Sequence, residues 1–107
     1  MPESFITHLQ CSNCGETYDD RDPMRTCPAC EKVLFARYDL EKAAGAKAEL
    51  KDRDPNMWRY LEVMPVRDPA NIITLGEGMT PIIDAKRLAT EVGSPGLLLK
   101  DEGVCPT

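Results

Sequence analysis

The chain has 107 residues, which is enough for one ordinary domain or for one very small domain and part of another. Its content of 42% hydrophobic and 29% charged residues is typical of a globular protein and excludes general disorder. The net charge of −5 argues against nucleic-acid binding, which usually needs a basic face to neutralise phosphates.

The sequence lacks the signatures of membrane insertion and of export. It has no apolar run of about 18 residues that could span a bilayer. Residues 1–4 form neither a basic start nor an apolar signal core. We therefore predict a cytoplasmic protein with no membrane partner. In that compartment paired cysteines hold metal more often than they form disulfides.

Residues 5–38 are predicted to form one small β unit. Short apolar segments at residues 5–6 and 33–36 flank two cysteine pairs, and turn-forming residues occupy positions 19–23. This pattern predicts two β-hairpins that are held together at their tips.

Four cysteines in two pairs are the strongest chemical signal in the chain. They follow the pattern CxxC–x12–CxxC and are Cys11, Cys14, Cys27 and Cys30. Two residues between cysteines allow a tight turn to direct both sulfurs to one point, and two such turns give a tetrahedron of sulfurs. Such a tetrahedron suits Zn²⁺. Because sulfur would fill every position, we predict a structural zinc site with no catalytic role.

Alternatives to this zinc site remain open. The cysteine pairs could form two disulfides, or one pair could be a redox CxxC site, although such sites usually open a helix. His8 precedes Cys11 by three residues and could compete as a ligand, but a strand or surface histidine explains it better. Gly15 follows the first pair, where a positive φ is often needed, and Glu31 is a poorer fit at the equivalent position.

Residues 39–65 are predicted to be a helical linker. Asp39 can cap a helix over residues 39–51, in which apolar residues share one face. A second helix is predicted over residues 57–64, and Pro65 closes it. The apolar stripe of this second helix has the spacing i, i+3, i+4, i+7 and predicts a packing face; its members are Met57, Tyr60, Leu61 and Met64.

The last third of the chain is predicted to begin an α/β unit. Residues 66–83 are rich in loop formers. A helix is predicted over about residues 85–92, with Asp84 as its cap and Gly93 as its stop. Residues 97–99 are all leucine and predict a buried strand, and a helix followed by such a strand is typical of α/β folds.

Three segments of the chain carry a family resemblance. They are residues 57–60 (Met-Trp-Arg-Tyr), residues 75–82 (Leu-Gly-Glu-Gly-Met-Thr-Pro-Ile), and Leu-Lys-Asp-Glu-Gly at 99–103 followed by Pro-Thr at 106–107. In this order they resemble the N-terminal part of threonine synthase, in the form that carries a small zinc ribbon. The second and third segments are specific together and weak apart. The resemblance covers nearly the whole chain.

The resemblance implies a fold, an activity and a cofactor. Threonine synthases are pyridoxal-phosphate enzymes of the tryptophan-synthase β-like fold (fold type II), and they convert O-phospho-L-homoserine and water to L-threonine and phosphate. The implied fold class is α+β and α/β: residues 1–38 are a zinc-ribbon β domain, residues 39–65 a helical linker, and residues 66–107 the start of the catalytic α/β domain. In the family the sequence continues with Gly-Ser-Phe-Lys, whose lysine forms the Schiff base. Pyridoxal phosphate is therefore expected in the full-length enzyme only.

The resemblance assigns no catalytic or cofactor-binding residue to these 107 positions. Lys100 matches a family position ahead of the Schiff-base lysine, and four other lysines lie on or beside predicted solvated helix faces, at Lys42, Lys47, Lys51 and Lys86. Glu77 is expected to be a structural carboxylate that binds loop amides. The family usually has asparagine where this chain has Cys105, which we expect to be an inert thiol.

The expected partner is the remainder of the catalytic domain. Without it, the stripe on the helix over residues 57–64 would be partly uncovered, which predicts self-association through exposed apolar surface. Two other functions remain open: a cysteate synthase-like paralogue that acts on a different phospho-amino acid, and a stand-alone zinc-ribbon interaction module. A reading frame that continues with Gly-Ser-Phe-Lys after Thr107 would favour the enzyme, and a stop codon would favour the module.

Overall fold

The structure of this chain, a computed structural model, describes residues 2–106 and divides them into two compact units. The first unit comprises residues 2–53 and 58–72, and the second comprises residues 54–57 and 73–106. Met1 and Thr107 lie outside the described residues. The first residue of the predicted zinc ribbon is therefore not described. The last residue of the predicted catalytic segment, which is also the last residue of the Pro-Thr motif, is not described either. The predicted boundaries after residues 38 and 65 stay predictions.

A three-stranded antiparallel sheet forms the centre of the first unit. Its strands are β1 (Ile6–Cys11), β2 (Thr17–Tyr18) and β3 (Leu34–Tyr38), in the order β2-β1-β3. The prediction of two hairpins is right only for the first, which β1 and β2 form. The second is reduced to a single bridge between Thr26 and Val33, because β3 pairs with β1 instead.

The predicted helix over residues 39–51 is much shorter in the structure. Helix α1 spans Leu40–Ala44, and Asp39 caps it as expected by accepting a hydrogen bond from the backbone N–H of Lys42 at 3.0 Å. The helix ends at Gly45, a residue type of low helix propensity. No residue of α1, which is described in full, is buried, so the predicted apolar face is not a packing face. Two 3-10 turns follow in the first unit, at Leu50–Asp52 and Pro69–Asn71.

Residues Met57–Val63 form 3-10 turns in place of the predicted α-helix over residues 57–64. The backbone leaves helical geometry at Tyr60, with φ −102° and ψ 33°. The predicted stripe is a packing face only in part, because Leu61 is 3% exposed whereas Tyr60 is 45% exposed. The neighbouring Glu62 is also buried.

A buried ion pair stabilises this segment of the first unit. The Arg53 guanidinium donates from Nη1 to Oε2 of Glu62 at 2.8 Å and from Nη2 to Oε1 at 2.7 Å. The two side chains are 16% and 7% exposed. The Arg53 hydrogen bonds hold the pKa of Glu62 below its ordinary value. The same Nη1 also donates to the carbonyl oxygen of Arg59 at 2.7 Å.

A second ion pair ties the sheet to the later part of the same unit. Arg67 donates to both carboxylate oxygens of Asp20, at 2.6 and 2.8 Å. Its Nη2 also donates to the carbonyl oxygen of Ile6, at 2.8 Å. The Asp20 side chain is only 7% exposed, so one guanidinium holds both the turn after β2 and the start of β1.

Acid is expected to weaken the first unit partly through Asp20. Its pKa lies below the ordinary value of 3.8, first because of the hydrogen bonds from Arg67. A carboxyl group whose pKa is lower in the folded than in the unfolded chain stabilises the fold fully at pH values above its unfolded-state pKa. This stabilisation is lost as the pH falls through the lower folded-state pKa. Urea unfolding of the wild type and of Asp20→Asn should therefore differ most near neutral pH, and the difference should shrink as the pH falls below the ordinary pKa of 3.8.

The matched control for this titration is Asp22→Asn, because Asp22 is an exposed carboxylate in the same turn. Its unfolding free energy should follow that of the wild type at every pH. A difference between wild type and Asp20→Asn that stays constant with pH would contradict the prediction.

The second unit contains two short antiparallel strands and one helix. Strand β4 (Ile82–Asp84) pairs with strand β5 (Leu98–Lys100), and helix α2 (Lys86–Val92) connects them. A 3-10 turn at Glu102–Val104 follows. The segment over residues 66–83 was predicted as loop, and the sequence did not indicate the strand that begins near its end.

The prediction for helix α2 is right at its C-terminus and wrong at its N-terminus. Gly93 ends the helix in the left-handed conformation, with φ 65°, as expected. The N-cap position is held by Ala85, which makes no side-chain cap hydrogen bond. Asp84 does not cap the helix, because it is the last residue of β4. No helix within residues 2–106 is long and apolar enough to cross a membrane.

The leucine strand is exposed, contrary to the prediction that it is buried. Leu98 is 59% exposed and Leu99 is 42% exposed. Within residues 2–106 this sheet has only two strands, which is too few to form a stable core alone. The second unit carries many exposed large apolar side chains: Ile73, Leu75, Met79, Ile82, Ile83, Leu88, Val92, Leu98, Leu99 and Val104.

Candidate metal centre

The four predicted metal ligands lie in two turns of the first unit. Cys11 is the last residue of β1, and Cys14 lies in the turn that leads to β2. Cys27 and Cys30 lie in the turn enclosed by the isolated bridge ahead of β3. Cys27 is fully buried and Cys11 is 3% exposed, whereas Cys30 is half-buried and Cys14 is exposed.

The four sulfur atoms all lie within 4.8 Å of one another. The Sγ atoms of Cys11 and Cys30 are 3.4 Å apart, and those of Cys14 and Cys27 are 3.7 Å apart. A tetrahedral zinc ion with Zn–S bonds of about 2.3 Å holds its sulfurs about 3.8 Å apart, whereas the two sulfurs of a disulfide are about 2.05 Å apart. The four cysteines are therefore close enough to bind a metal ion.

Backbone geometry in both turns supports the convergence of the sulfurs. The N–H groups of Asn13 and Cys14 each donate to the Sγ of Cys11 at 3.4 Å. Gly15 follows the first pair with φ 76°, and Glu31 follows the second pair with φ 60°. The expectation that the first position needs a positive φ is confirmed. Glu31 takes the same left-handed conformation although glycine adopts it more easily.

A tyrosine hydroxyl also contacts the cluster. The hydroxyl oxygen of Tyr18, at the end of β2, lies 3.1 Å from the Sγ of Cys27. Tyr18 was not among the residues that the cysteine motif indicated. The signal that could have found it is its position in the strand directly after the first cysteine turn.

The sulfurs differ in their electrostatic settings. The Tyr18 hydrogen bond is the main reason that the pKa of Cys27 falls to about 6. The backbone N–H of Cys14 lowers the pKa of Cys11. At Cys14 the N–H of Glu16 favours the thiolate, but desolvation and the other sulfurs outweigh it and raise the pKa to about 12. Thiolates this close repel one another, so full ionisation of the cluster requires a cation.

The alternatives to a metal site find no support in the described residues. All five cysteines are free, and neither CxxC pair opens a helix. His8 lies within β1, where its Nδ1 is 2.9 Å from the hydroxyl of Thr7, and it is not part of the four-ligand cluster. Cys105 is half-buried and also lies outside that cluster.

Comparison with known proteins supports the family indicated by the motifs. The chain is 39% identical over 100 residues to the threonine synthase of Methanocaldococcus jannaschii and 36% identical over 101 residues to that of Methanosarcina acetivorans. These matches cover 92% and 94% of this chain. The resemblance to threonine synthases is confirmed. The chain spans 24% of the length of each of these curated relatives. No family model and no solved structure matches the chain.

Glu77 orders the second segment of the threonine synthase resemblance. Its Oε2 accepts hydrogen bonds from the hydroxyl of Thr74 at 2.7 Å and from the backbone N–H of Leu75 at 2.9 Å. The hydrogen bond from Thr74 is the main reason that the pKa of Glu77 lies below its ordinary value. The prediction of a structural carboxylate that binds a loop amide is confirmed.

The first two threonine synthase-like segments meet at Gly78. The backbone N–H of Met57 donates to the carbonyl oxygen of Glu77 at 3.3 Å. Gly78 has φ 94°, and a Cβ at this position would lie 3.1 Å from the backbone nitrogen of Met57. Only glycine allows both this conformation and this close approach.

The third threonine synthase-like segment is joined to the second by hydrogen bonds. The hydroxyl of Thr80 donates to Oε1 of Glu102 at 2.6 Å, and the backbone N–H of Asp101 donates to the carbonyl oxygen of Pro81 at 2.9 Å. The Nζ of Lys100 donates to the carbonyl oxygen of Thr80. The pairing of Thr80 with Glu102 could not be read from the motifs, although both residues lie within them.

Proposed function

We propose that this chain forms the N-terminal part of a threonine synthase-like enzyme. The observation that carries the proposal is the similarity to two threonine synthases, which extends over almost the whole chain. The hydrogen bonds that join the three motif segments support it. The complete enzyme would convert O-phospho-L-homoserine and water to L-threonine and phosphate.

The complete enzyme would use pyridoxal phosphate, which supplies an electron sink for carbanion chemistry. Residues 2–106 do not fit as the site of this cofactor. A Schiff-base amine needs a desolvated setting, whereas every lysine in this range is exposed, and Lys100 donates to a backbone carbonyl. We therefore place the Schiff-base lysine and the phosphate-binding loop in the remainder of the enzyme, and we expect the 107 residues alone to be inactive.

The four-cysteine cluster is proposed to hold a structural zinc ion. Four sulfur ligands complete a tetrahedron, so no position remains for a reacting water or substrate. The ion would hold together the two turns of the first unit. Reduced cysteines fit a reducing compartment, and a cytoplasmic location is therefore part of the proposal.

The exposed apolar side chains of the second unit support the proposed partner. They give this unit a surface that a soluble domain usually covers, and the remainder of the catalytic domain would cover it. We expect the isolated chain to self-associate through the same surface, which sedimentation at increasing concentration would detect. The net charge of −5 supports the absence of a nucleic-acid partner.

A chimeric enzyme tests the proposed function. This chain replaces the matching residues of the Methanocaldococcus jannaschii threonine synthase, and the purified chimera is assayed for phosphate release and threonine formation from O-phospho-L-homoserine. We expect measurable turnover together with about one equivalent of zinc, as a closed four-sulfur site requires. The control is the Methanocaldococcus jannaschii enzyme from which the matching residues are deleted, and it is expected to be inactive.

The chimera also gives a clear contrary outcome. A chimera that folds and retains pyridoxal phosphate, but releases no phosphate from O-phospho-L-homoserine, would contradict the assignment to threonine synthesis.

A further inference from the structure

We infer that Tyr18 is a positioning residue of the four-cysteine site, whose hydroxyl donates a hydrogen bond to the Cys27 thiolate and so strengthens metal binding. The inference rests on the proposed zinc site. It goes beyond that site by giving a residue outside the ligand set a role in the strength of binding.

The direction of the hydrogen bond follows from the chemistry of the two groups. The hydroxyl oxygen of Tyr18 and the Sγ of Cys27 are 3.1 Å apart. A metal-bound thiolate has no proton to give, so the phenol must be the donor. Cys27 is fully buried, and water therefore cannot easily replace the donor if the hydroxyl is removed.

The pairing register of β1 and β2 places Tyr18 on the face of the sheet that carries Cys11. In the β1/β2 pair, Tyr18 lies opposite Leu9. Leu9 and Cys11 are two residues apart in β1 and so share one face of the sheet, and directly opposed residues share that face too. A slip of one residue would move the hydroxyl to the other face. The contact is thus built into the pairing of the strands.

Hydrogen-bond donors to the sulfurs matter because the metal-bound site carries a net negative charge. Four thiolates around one dication leave a net charge of about −2, and hydrogen-bond donors offset this excess. The backbone supplies donors to Cys11, and the Nδ2 of Asn13 lies 3.8 Å from the Sγ of Cys30. Tyr18 supplies the shortest of these side-chain and backbone contacts to sulfur, and it does so at the most buried cysteine.

The test compares Tyr18→Phe with Tyr38→Phe in the 107-residue chain. Tyr38 is the matched control because it also lies in this sheet, in β3, and it makes no hydrogen bond to the four sulfurs within the described residues. Zinc affinity is measured near neutral pH by competition with a chromophoric chelator. We expect about tenfold weaker binding for Tyr18→Phe, which is the low end of the effect of outer partners on metal sites, and no change for Tyr38→Phe.

Substitution with Co²⁺ adds a readout that does not depend on enzymatic activity. The sulfur-to-cobalt charge-transfer band should shift in Tyr18→Phe and stay in place in Tyr38→Phe. Equal zinc affinities and equal cobalt spectra for the two variants would overturn the inference. A wild-type chain that binds no metal would overturn the proposed zinc site itself.

A second variant keeps the inference testable if Tyr18→Phe does not fold. Incorporation of 3-fluorotyrosine at position 18 keeps the shape of the side chain and makes the hydroxyl a stronger donor. We expect tighter zinc binding and a cobalt band that shifts in the direction opposite to that of Tyr18→Phe. An unchanged affinity and band would overturn the inference.

Discussion

Removal of zinc from the metal-loaded chain is expected to unfold the sheet of the first unit. Few apolar side chains are buried in this unit, and two of its buried residues, Cys11 and Cys27, are ligands of the proposed ion. Structural zinc ions in small domains bind with about 10–16 kcal/mol of apparent free energy at neutral pH, which is comparable to or larger than the total stability of most domains, about 5–15 kcal/mol. Chelator titration followed by far-UV circular dichroism and amide NMR should show loss of structure, and added zinc should restore it.

Substitution of one ligand should have the same effect as the chelator. Cys27→Ala removes the fully buried sulfur together with the acceptor of the Tyr18 hydroxyl, so we expect the zinc content to fall from about one equivalent to nearly none. Cys105→Ala is the matched control, because this cysteine lies outside the cluster. A Cys27→Ala chain that still holds a full equivalent, or a chelator-treated chain that keeps its amide spectrum, would show that zinc does not hold this fold.

The second large effect is expected at the Arg53–Glu62 pair. Glu62→Gln leaves the nearly buried guanidinium of Arg53 without its charged partner, and such a loss typically costs more than the net contribution of the intact pair. We expect the free energy of unfolding of the zinc-loaded chain to fall by about 2–3 kcal/mol. This is the typical cost of losing hydrogen bonds between charged groups at a partly buried site. Urea denaturation at neutral pH measures this change.

The matched control for this pair is Asp52→Asn. Asp52 pairs with Lys51 at 2.8 Å, but the two side chains are 71% and 77% exposed, and such surface pairs are worth about 0–1 kcal/mol. The control should therefore remain close to the wild type. Equal losses for Glu62→Gln and Asp52→Asn would mean that the burial of the Arg53–Glu62 pair has no energetic consequence.

The cysteine cluster could be predicted from the sequence because its information is local. Each CxxC pair lies within one turn, and the spacing of two residues already limits where the sulfurs can lie. The left-handed conformation after the first pair was expected for the same reason. Tyr18 could not be identified in this way, since its contact with Cys27 depends on the register between β1 and β2.

The helices were predicted less well because tertiary contacts decide their length. The apolar pattern over residues 39–51 favoured one long helix, but α1 ends at Gly45 and buries no residue. Short helices without a packed face are only marginally stable, so the pattern alone could not sustain the longer one. At the start of α2, Asp84 is a favourable cap residue but is used by strand β4 instead.

The exposure of the leucine strand could not be predicted from its composition. A run of apolar residues indicates burial only if other layers are present to cover it. In residues 2–106 this strand, β5, pairs with β4 alone, and its Leu98 remains 59% exposed. The buried carboxylates of Glu62 and Asp20 were not indicated at all, because their arginine partners are nine and 47 residues away in the sequence.

The contacts of Arg67 with Asp20 and Ile6 bear on how this four-cysteine unit could be transplanted. The guanidinium that holds Asp20 and the carbonyl of Ile6 is provided by residue 67, well after the last cysteine ligand. A graft that stopped at residue 38 would leave the Asp20 carboxylate, which is 7% exposed, without its counter-ion. The smallest segment that could be transplanted with all of these contacts therefore extends to residue 72, where the first unit ends. It is nearly twice as long as the zinc ribbon that was predicted to end at residue 38.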